Sequence, residues 1–249
     1  MAERNTSFEA LVLRTKDSPS GDRIATFLSS DSGIVDAFVF GGAKSSLRSS
    51  ASPFVHARAF IYTDSVKQYR KLSDLAVLES FPGLRDSYDR LMASSAISEL
   101  LIRTSACGGD YGTVFDLALR SLRLLDRADE SQVEAVLLAF LWKILGIMGL
   151  EPDLESCPAC GRPSGSGAVR YSIAQGGFLC PSCSGESSGG EILELDAGAM
   201  LLLRGFSEKP MEEIPGLAEA VQLNPGLGAF VRILAQTAAE GVLNSLSLS

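Results

Sequence analysis

The chain has 249 residues, 46% of them hydrophobic, and a formal net charge of −8. Such a length and apolar content allow one large domain or two to three small ones with real cores. The net acidity argues against a general nucleic-acid binder. The lack of an uncharged apolar run of about 18 residues argues against a membrane span, and Met1 to Ser7 lacks the apolar core of a secretion signal, so a cytoplasmic location is expected.

The charge is uneven. Residues 1–80 hold ten Lys and Arg against nine Asp and Glu, whereas residues 81–249 hold twelve against twenty-one. The acidity belongs to the later part, and a nearly neutral N-terminal module is left free to carry a local basic face.

In chain order, residues 8–80 read as β. Phe8–Arg14, Ile24–Ser29, Ile34–Phe40, Phe54–Tyr62 and Leu75–Ser80 are five short apolar or partly alternating runs. Val66–Leu72 is a candidate lead-in to the last, and Asp31-Ser32-Gly33 is a turn before the third. Five short strands separated by turn residues suggest a small barrel. Between the third and fourth lies Gly41 to Pro53, a Ser-rich stretch with two cations. It reads as a solvated connector, with a mobile cationic finger as the functional alternative. It lacks the Gly-x-x-x-x-Gly-Lys-Ser/Thr order of a phosphate-binding loop. Arg14, Lys16, Arg23, Lys44, Arg48, Lys67, Arg70 and Lys71 could gather on one barrel face and its loops to meet phosphates, with Tyr62 or Tyr69 stacking bases.

Phe81-Pro82-Gly83 marks a domain boundary, and helical patterns follow. The first runs from Tyr88 to Leu101 and stops at Cys107-Gly108-Gly109. Thr113 with Asp116 resembles a capping box for the second. Along it, Arg120, Arg123 and Arg127 form a row of the kind that is ordinarily a solvated face. Ser131 with Glu134 opens a third over Val133–Leu150, apolar nearly all round and so the expected centre of a bundle. Gly149 and Pro152 end it.

Two Cys-x-x-Cys pairs come next, Cys157/Cys160 and Cys180/Cys183, with nineteen residues between Cys160 and Cys180. Two intervening residues let both sulfurs of a pair cover one edge of a tetrahedron, and the second pair covers the opposite edge. Between the pairs, Ala168–Ile173 and Gly177–Cys180 read as two short strands joined through Ala174–Gly177, which is a zinc-ribbon layout. A pair of disulfides or a redox dithiol is the alternative. Four thiolates leave no coordination position for a water, so one structural zinc per chain is expected. The fifth cysteine, Cys107, reads as a small core residue. After the flexible Ser184–Gly190, Asp196 can cap one helix and Asn224-Pro225 can open a last one. Both are too apolar to stand free and are expected to pack back on residues 86–150.

Catalytic signals are few. The one histidine, His56, falls in a strand pattern, which removes Ser-His-Asp or Cys-His chemistry unless His56 is itself the base. Walker, dinucleotide and Gly-x-Ser-x-Gly fingerprints are missing. A non-enzymatic protein is expected. The rivals are a zinc-ribbon adaptor that binds only proteins, and an enzyme whose site the residues do not mark.

The order of barrel, helices, four-Cys ribbon and returning helices resembles the RecO family of bacterial recombination and DNA-repair mediators. Its local marks here are Glu9-Ala10-Leu11-Val12-Leu13-Arg14, Gly21-Asp22-Arg23-Ile24, Gly33-Ile34-Val35, Gly41-Gly42-Ala43-Lys44, Pro53-Phe54 and the two Cys-Pro-x-Cys pairs. The resemblance implies an α+β multidomain chain: an OB-fold β-barrel over 1–80, a helical domain beginning at 81–152, an inserted zinc ribbon at 153–186, and C-terminal helices over 187–249. It implies binding of single- and double-stranded DNA, strand annealing, and partnership with RecR. It further implies contact with the C-terminal tail of single-strand-binding protein and indirect loading of RecA, in the bacterial cytoplasm with the nucleoid. That tail is acidic with an apolar end, so an apolar groove edged by Arg120, Arg123 or Arg127 would complement it. The loop carrying Lys44 and Arg48 is poorer in cations than the family's usual loop.

Overall fold

The computed structural model describes residues 5–17, 21–41, 45–64, 66, 69–165, 167–185 and 192–246. The described residues form two compact units. One extends to Arg127 and takes in the segment from Val242; the other runs from Ala128 to Gly241.

In the first unit, β1 (Asn5–Asp17), β2 (Arg23–Ser29) and β3 (Gly33–Val39) form an antiparallel meander. β4 (Val55–Asp64) pairs antiparallel with both β1 and β5 (Tyr69–Ser80), and β3 meets β5 in parallel. Every strand has two neighbours, so the five-stranded sheet closes on itself. Alternate residues fill the interior: Ala10, Val12, Ala25, Phe27, Val35, Ala37, Val39, Ala57, Ala59, Ile61 and Leu72. The many alanines leave room for Phe27 in a space about one side chain wide. The candidate lead-in at Val66–Leu72 and the expected last strand belong to one twelve-residue strand, β5. Register shifts in the β4–β5 ladder let so long a strand bend around the sheet.

The Ser-rich stretch after β3 is more than a connector. It contains α1 (Ser46–Ser50), whose first turn is held by the Ser45 hydroxyl accepting from the Arg48 N–H. Leu47 and Ala51 pack against the interior of the sheet.

α2 (Tyr88–Arg103) and α3 (Tyr111–Arg127) share this unit with the sheet. The sheet and these two helices thus form one compact unit across Phe81-Pro82-Gly83. The physical reason lies on the outer face of the sheet, where Leu11, Leu13 and Leu28 are apolar and need cover. Tyr111 seats against the β2–β3 turn so closely that a Cβ on Gly33, which has φ +68°, would lie 2.6 Å from the Tyr111 ring. Asp110, rather than Thr113, caps α3: its carboxylate accepts from the Thr113 N–H at 3.1 Å and hydroxyl at 2.6 Å.

The second unit is built on α4 (Glu130–Ile147), with α5 (Ala197–Glu208), α6 (Ala218–Gln222) and α7 (Pro225–Ala238) packed around it. Its capping box is Asp129 with Gln132, two residues earlier than Ser131 with Glu134 would set it. α4 buries residues on all sides, including Trp142, whose indole N–H donates to Ser207 Oγ at 2.8 Å. A bidentate pair joins Arg232 of α7 to Glu134 of α4, both contacts 2.7 Å. α5 is capped by Asp196 as its sequence indicates. Among the described residues no helix is long and apolar enough to cross a membrane.

The ribbon strands are β6 (Val169–Ser172) and β7 (Gly177–Leu179), and β8 (Ile192–Leu195) adds a third beside β6. Phe230 of α7 sits at ring-centroid distances of 5.0 Å from Tyr171 and 5.7 Å from Phe178. The ribbon is thus anchored on the helices by an aromatic cluster.

Candidate functional site

The register of the closed sheet sets the first candidate site. Lys16 pairs with Ile24, Ile24 with Phe38, Phe38 with Lys71, and Lys71 with Tyr62. Their neighbours Ala25, Ala37, Leu72 and Ile61 point into the core, so this row points outward. Arg14 lies on the same face, opposite Thr26. Arg14, Lys16, Arg70 and Lys71 make no ion pair among the described residues.

Two other expected cations behave differently. Arg23 Nε and Arg48 Nη2 both reach Asp17 Oδ1, at 3.3 and 3.0 Å, and Arg48 Nη1 donates to the Gly41 carbonyl at 3.0 Å. They tie α1 to the end of the β1–β2 ladder, and Asp17 cancels half their charge. Lys44 and Lys67 lie outside the described residues.

Of the two tyrosines expected to stack bases, Tyr62 lies in the outward row and Tyr69 meets Phe38 edge-on at 6.3 Å. Sequence reasoning passed over Phe38 and Phe40, which stack at 5.8 Å with planes 11° apart. The signal was available: in Ala37-Phe38-Val39-Phe40 the small residues take the core-facing positions, which leaves both rings outside.

The second candidate site is the cysteine cluster. The Sγ atoms of Cys157, Cys160, Cys180 and Cys183 all lie within 4.8 Å of one another, with Cys160 and Cys180 at 3.6 Å. A tetrahedral zinc with Zn–S of about 2.3 Å needs S···S separations of about 3.8 Å, which this arrangement fits. Each Cys-x-x-Cys is a tight turn: the Gly161 N–H bonds to the Cys157 carbonyl and the Cys183 N–H to that of Cys180. Gly177 of β7 passes so close that a Cβ would lie 2.9 Å from Pro158 Cγ. The donation from Arg162 Nε to Cys160 Sγ at 3.4 Å holds that exposed thiol down to about 6. Hydrogen bonds from the Cys160 and Cys180 sulfurs push Cys183 up to about 12. A metal held at the centre of this cluster would take all four sulfurs as thiolates. Cys107 is apart from the cluster, in a turn where Ser105 to Gly108 all have positive φ; burial raises its thiol pKa.

The arginine row of α3 does not stand free. Arg120 is paired with Asp116 at 2.8 Å, and Arg123 with Glu79 of β5 at 2.7 Å; Arg127 is exposed at the helix end. A different cavity in this unit, of about 650 Å³, has Leu13, Leu91, Met92 and Ile102 in its walls and Arg14 and Arg103 at its edge.

Comparison with known families accounts for nearly the whole chain. The family model "Recombination protein O N terminal" matches residues 1–81, and "Recombination protein O C terminal" matches residues 85–230. The chain belongs to this family, RecO, and its role lies in DNA repair and recombination. It is 28% identical to the DNA repair protein RecO of Desulforamulus reducens over 226 residues, covering 90% of this chain and 86% of that one. The corresponding protein of Anaeromyxobacter dehalogenans is 32% identical over 176 residues, 70% and 68% of the two chains. That of Symbiobacterium thermophilum is 30% identical over 196 residues, 77% and 76%.

Proposed function

We propose that the chain is a non-enzymatic mediator that binds DNA on the outer face of its N-terminal sheet, an OB-fold barrel. The observation that carries this is the outward row from Lys16 through Ile24 and Phe38 to Lys71, with unpaired Arg14 and Arg70 nearby. Strand order β1-β2-β3-β5-β4 with a helix between β3 and β4 supports the OB assignment, and OB-folds take oligonucleotides on the face of strands two and three. Unpaired cations supply the phosphate attraction, and the acidic remainder of the chain confines DNA to that face. In this reading the protein anneals strands and, with RecR, helps load RecA onto strands coated by single-strand-binding protein, in the cytoplasm.

The four cysteines hold one structural zinc, which fastens the ribbon of residues 153–186. For the acidic, apolar-ended tail of single-strand-binding protein, Arg120 and Arg123 are already engaged. We seat the tail instead in the cavity edged by Arg14 and Arg103, for its apolar walls. Arg103 itself donates to the Val242 carbonyl at 2.8 Å and lies 3.9 Å from Glu99, and Arg127 is the member of the α3 row that makes no ion pair among the described residues. A labelled tail peptide should lose affinity with Arg103→Ala and keep it with the Arg120/Arg123/Arg127 triple alanine variant; the reverse would return the tail to α3.

The test of the main reading is anisotropy of a labelled single strand with the full chain alone at low salt. Binding should be weak, salt-sensitive and strengthened by RecR. If no binding occurs at any salt, a ribbon adaptor that binds only proteins is the better account.

A further inference from the structure

The outward face combines two chemistries that phosphate binding alone does not need. Phe40 is 40% exposed, unusual for a large aromatic residue, and is stacked on Phe38. Tyr69 meets Phe38 edge-on at 6.3 Å. Beside these rings is a cavity of about 460 Å³ lined by Ile24, Asp36, Phe38, Asp64, Tyr69 and Arg70. Two of its walls are carboxylates; that of Asp36 accepts from the Thr26 hydroxyl at 2.6 Å. With two carboxylates against the single guanidinium of Arg70, the cavity offers phosphate little net attraction, while cations flank it on both sides, Lys16 along the row in one direction and Lys71 in the other. Across three strand steps these two lysines are about 14 Å apart. The face therefore has cationic margins and an aromatic, acid-lined middle.

We propose that Phe38, Phe40 and Tyr69 form a base-stacking subsite, so that this face takes unpaired nucleobases onto its rings while the sugar–phosphate chain runs past Lys16 and Lys71. The inference rests on the DNA-binding reading of the sheet and adds a preference to it. In a duplex the base faces are already stacked on one another and unavailable to side chains, so only an unpaired strand gains from the rings. Duplex meets the same lysines and gains nothing from Phe40.

The experiment compares a labelled single strand with its own duplex on the full chain at one fixed low salt, for wild type, Phe40→Ala, Phe38→Ala/Phe40→Ala and Phe40→Trp. The single strand should lose roughly 5- to 150-fold in affinity with the double variant and less with Phe40→Ala. Duplex affinity should stay within about twofold, and Phe40→Trp should keep the preference. Phe40 is a surface ring, so Phe40→Ala reports even if the double variant folds poorly. Equal losses for single strand and duplex, or no loss for either, overturn the subsite while leaving DNA binding in place. A wild-type chain that binds neither form overturns the DNA reading itself.

Discussion

His56 Nε2 lies 2.7 Å from Glu9 Oε1, joining β4 to β1 across the outer face of the closed sheet. His56 is 5% exposed, and Phe115 of α3 covers its ring edge-on at 5.9 Å. Among the described residues its Nδ1 has no hydrogen-bond partner, and it lies 3.8 Å from Glu79 Oε2, which Arg123 of α3 holds at 2.7 Å. The histidine thus stands where two strands and a helix meet, bonded to Glu9 of β1 beneath Phe115 of α3.

Replacing it should show as stability. His56→Ala removes a hydrogen bond to a carboxylate and leaves a void under Phe115, a loss of about 1–3 kcal/mol. Urea unfolding checks this, and a cycle with Glu9→Ala isolates the pair. The double variant should lie close to His56→Ala alone, because Glu9 is partly exposed and can rehydrate. Full additivity would mean that the 2.7 Å contact contributes nothing.

The cysteine cluster should retain one zinc per purified chain by elemental analysis, with Cys107 uninvolved. Metal binding needs every thiol ionised, and Cys183 starts from about 12 without metal, so acid opposes binding. Release to a chromogenic chelator should therefore quicken as pH is lowered from about 8 to about 6. Arg162→Ala removes the N–H donated to Cys160 and should weaken retention by about 10-fold or more. Protein with no metal and five free thiols would defeat the assignment.

Much of this architecture was legible in the residues, for reasons that differ by element. The ribbon was clearest, because the Cys-x-x-Cys spacing is itself a geometric constraint and Tyr171 and Phe178 alternate correctly on its two strands. The first three strands were clear for a similar reason. The five-residue helix α1 was hidden, because so short a run shows no period and its stability comes from Leu47 and Ala51 packing on the sheet. β8 was missed because four residues beyond a Gly-rich stretch carry too little pattern. The attachment of α2 and α3 to the sheet did leave a trace. Ala10-Leu11-Val12-Leu13 is buried without a break, and a strand buried on both faces must have something packed outside it.

Glu99 of α2 fastens the end of the chain to the first unit. Its carboxylate accepts from the N–H groups of Asn244 and Ser245, at 3.1 and 2.9 Å, and from the Ser245 hydroxyl at 2.8 Å. Desolvation raises its pKa, but these donors outweigh it and hold the group below its ordinary 4.5. A depressed carboxyl contributes stability above its unfolded pKa and loses it as pH falls through the folded value. The hold on residues 242–246 should therefore be full at neutral pH and weaken on acidification below about 4.5. Glu99→Gln should cost about 1–2 kcal/mol and raise amide exchange at Leu243 and Leu246 first, which hydrogen exchange would detect. Unchanged exchange there would show that burial of those leucines alone secures the segment.

The charge pattern of the sheet predicts how DNA binding depends on salt. Four cations, Arg14, Lys16, Arg70 and Lys71, are without ion pairs among the described residues. If each meets a phosphate, the log–log slope on a single strand is roughly −3, since each contact contributes about −0.7. Lys16→Ala with Lys71→Ala should make it shallower by about 1.4 and weaken all sequences alike. Arg23 and Arg48 are different, because Asp17 sits between them. Asp17→Asn removes the shared anion, so affinity should rise and the slope steepen by up to about 0.7 as one guanidinium is freed for phosphate. Arg48→Ala should do little by charge and act through loss of its hold on Gly41 and Asp17. A slope unmoved by the lysine pair would take the DNA off this face, and a weaker Asp17→Asn complex would mean that the Arg23–Asp17–Arg48 cluster acts as a brace for α1.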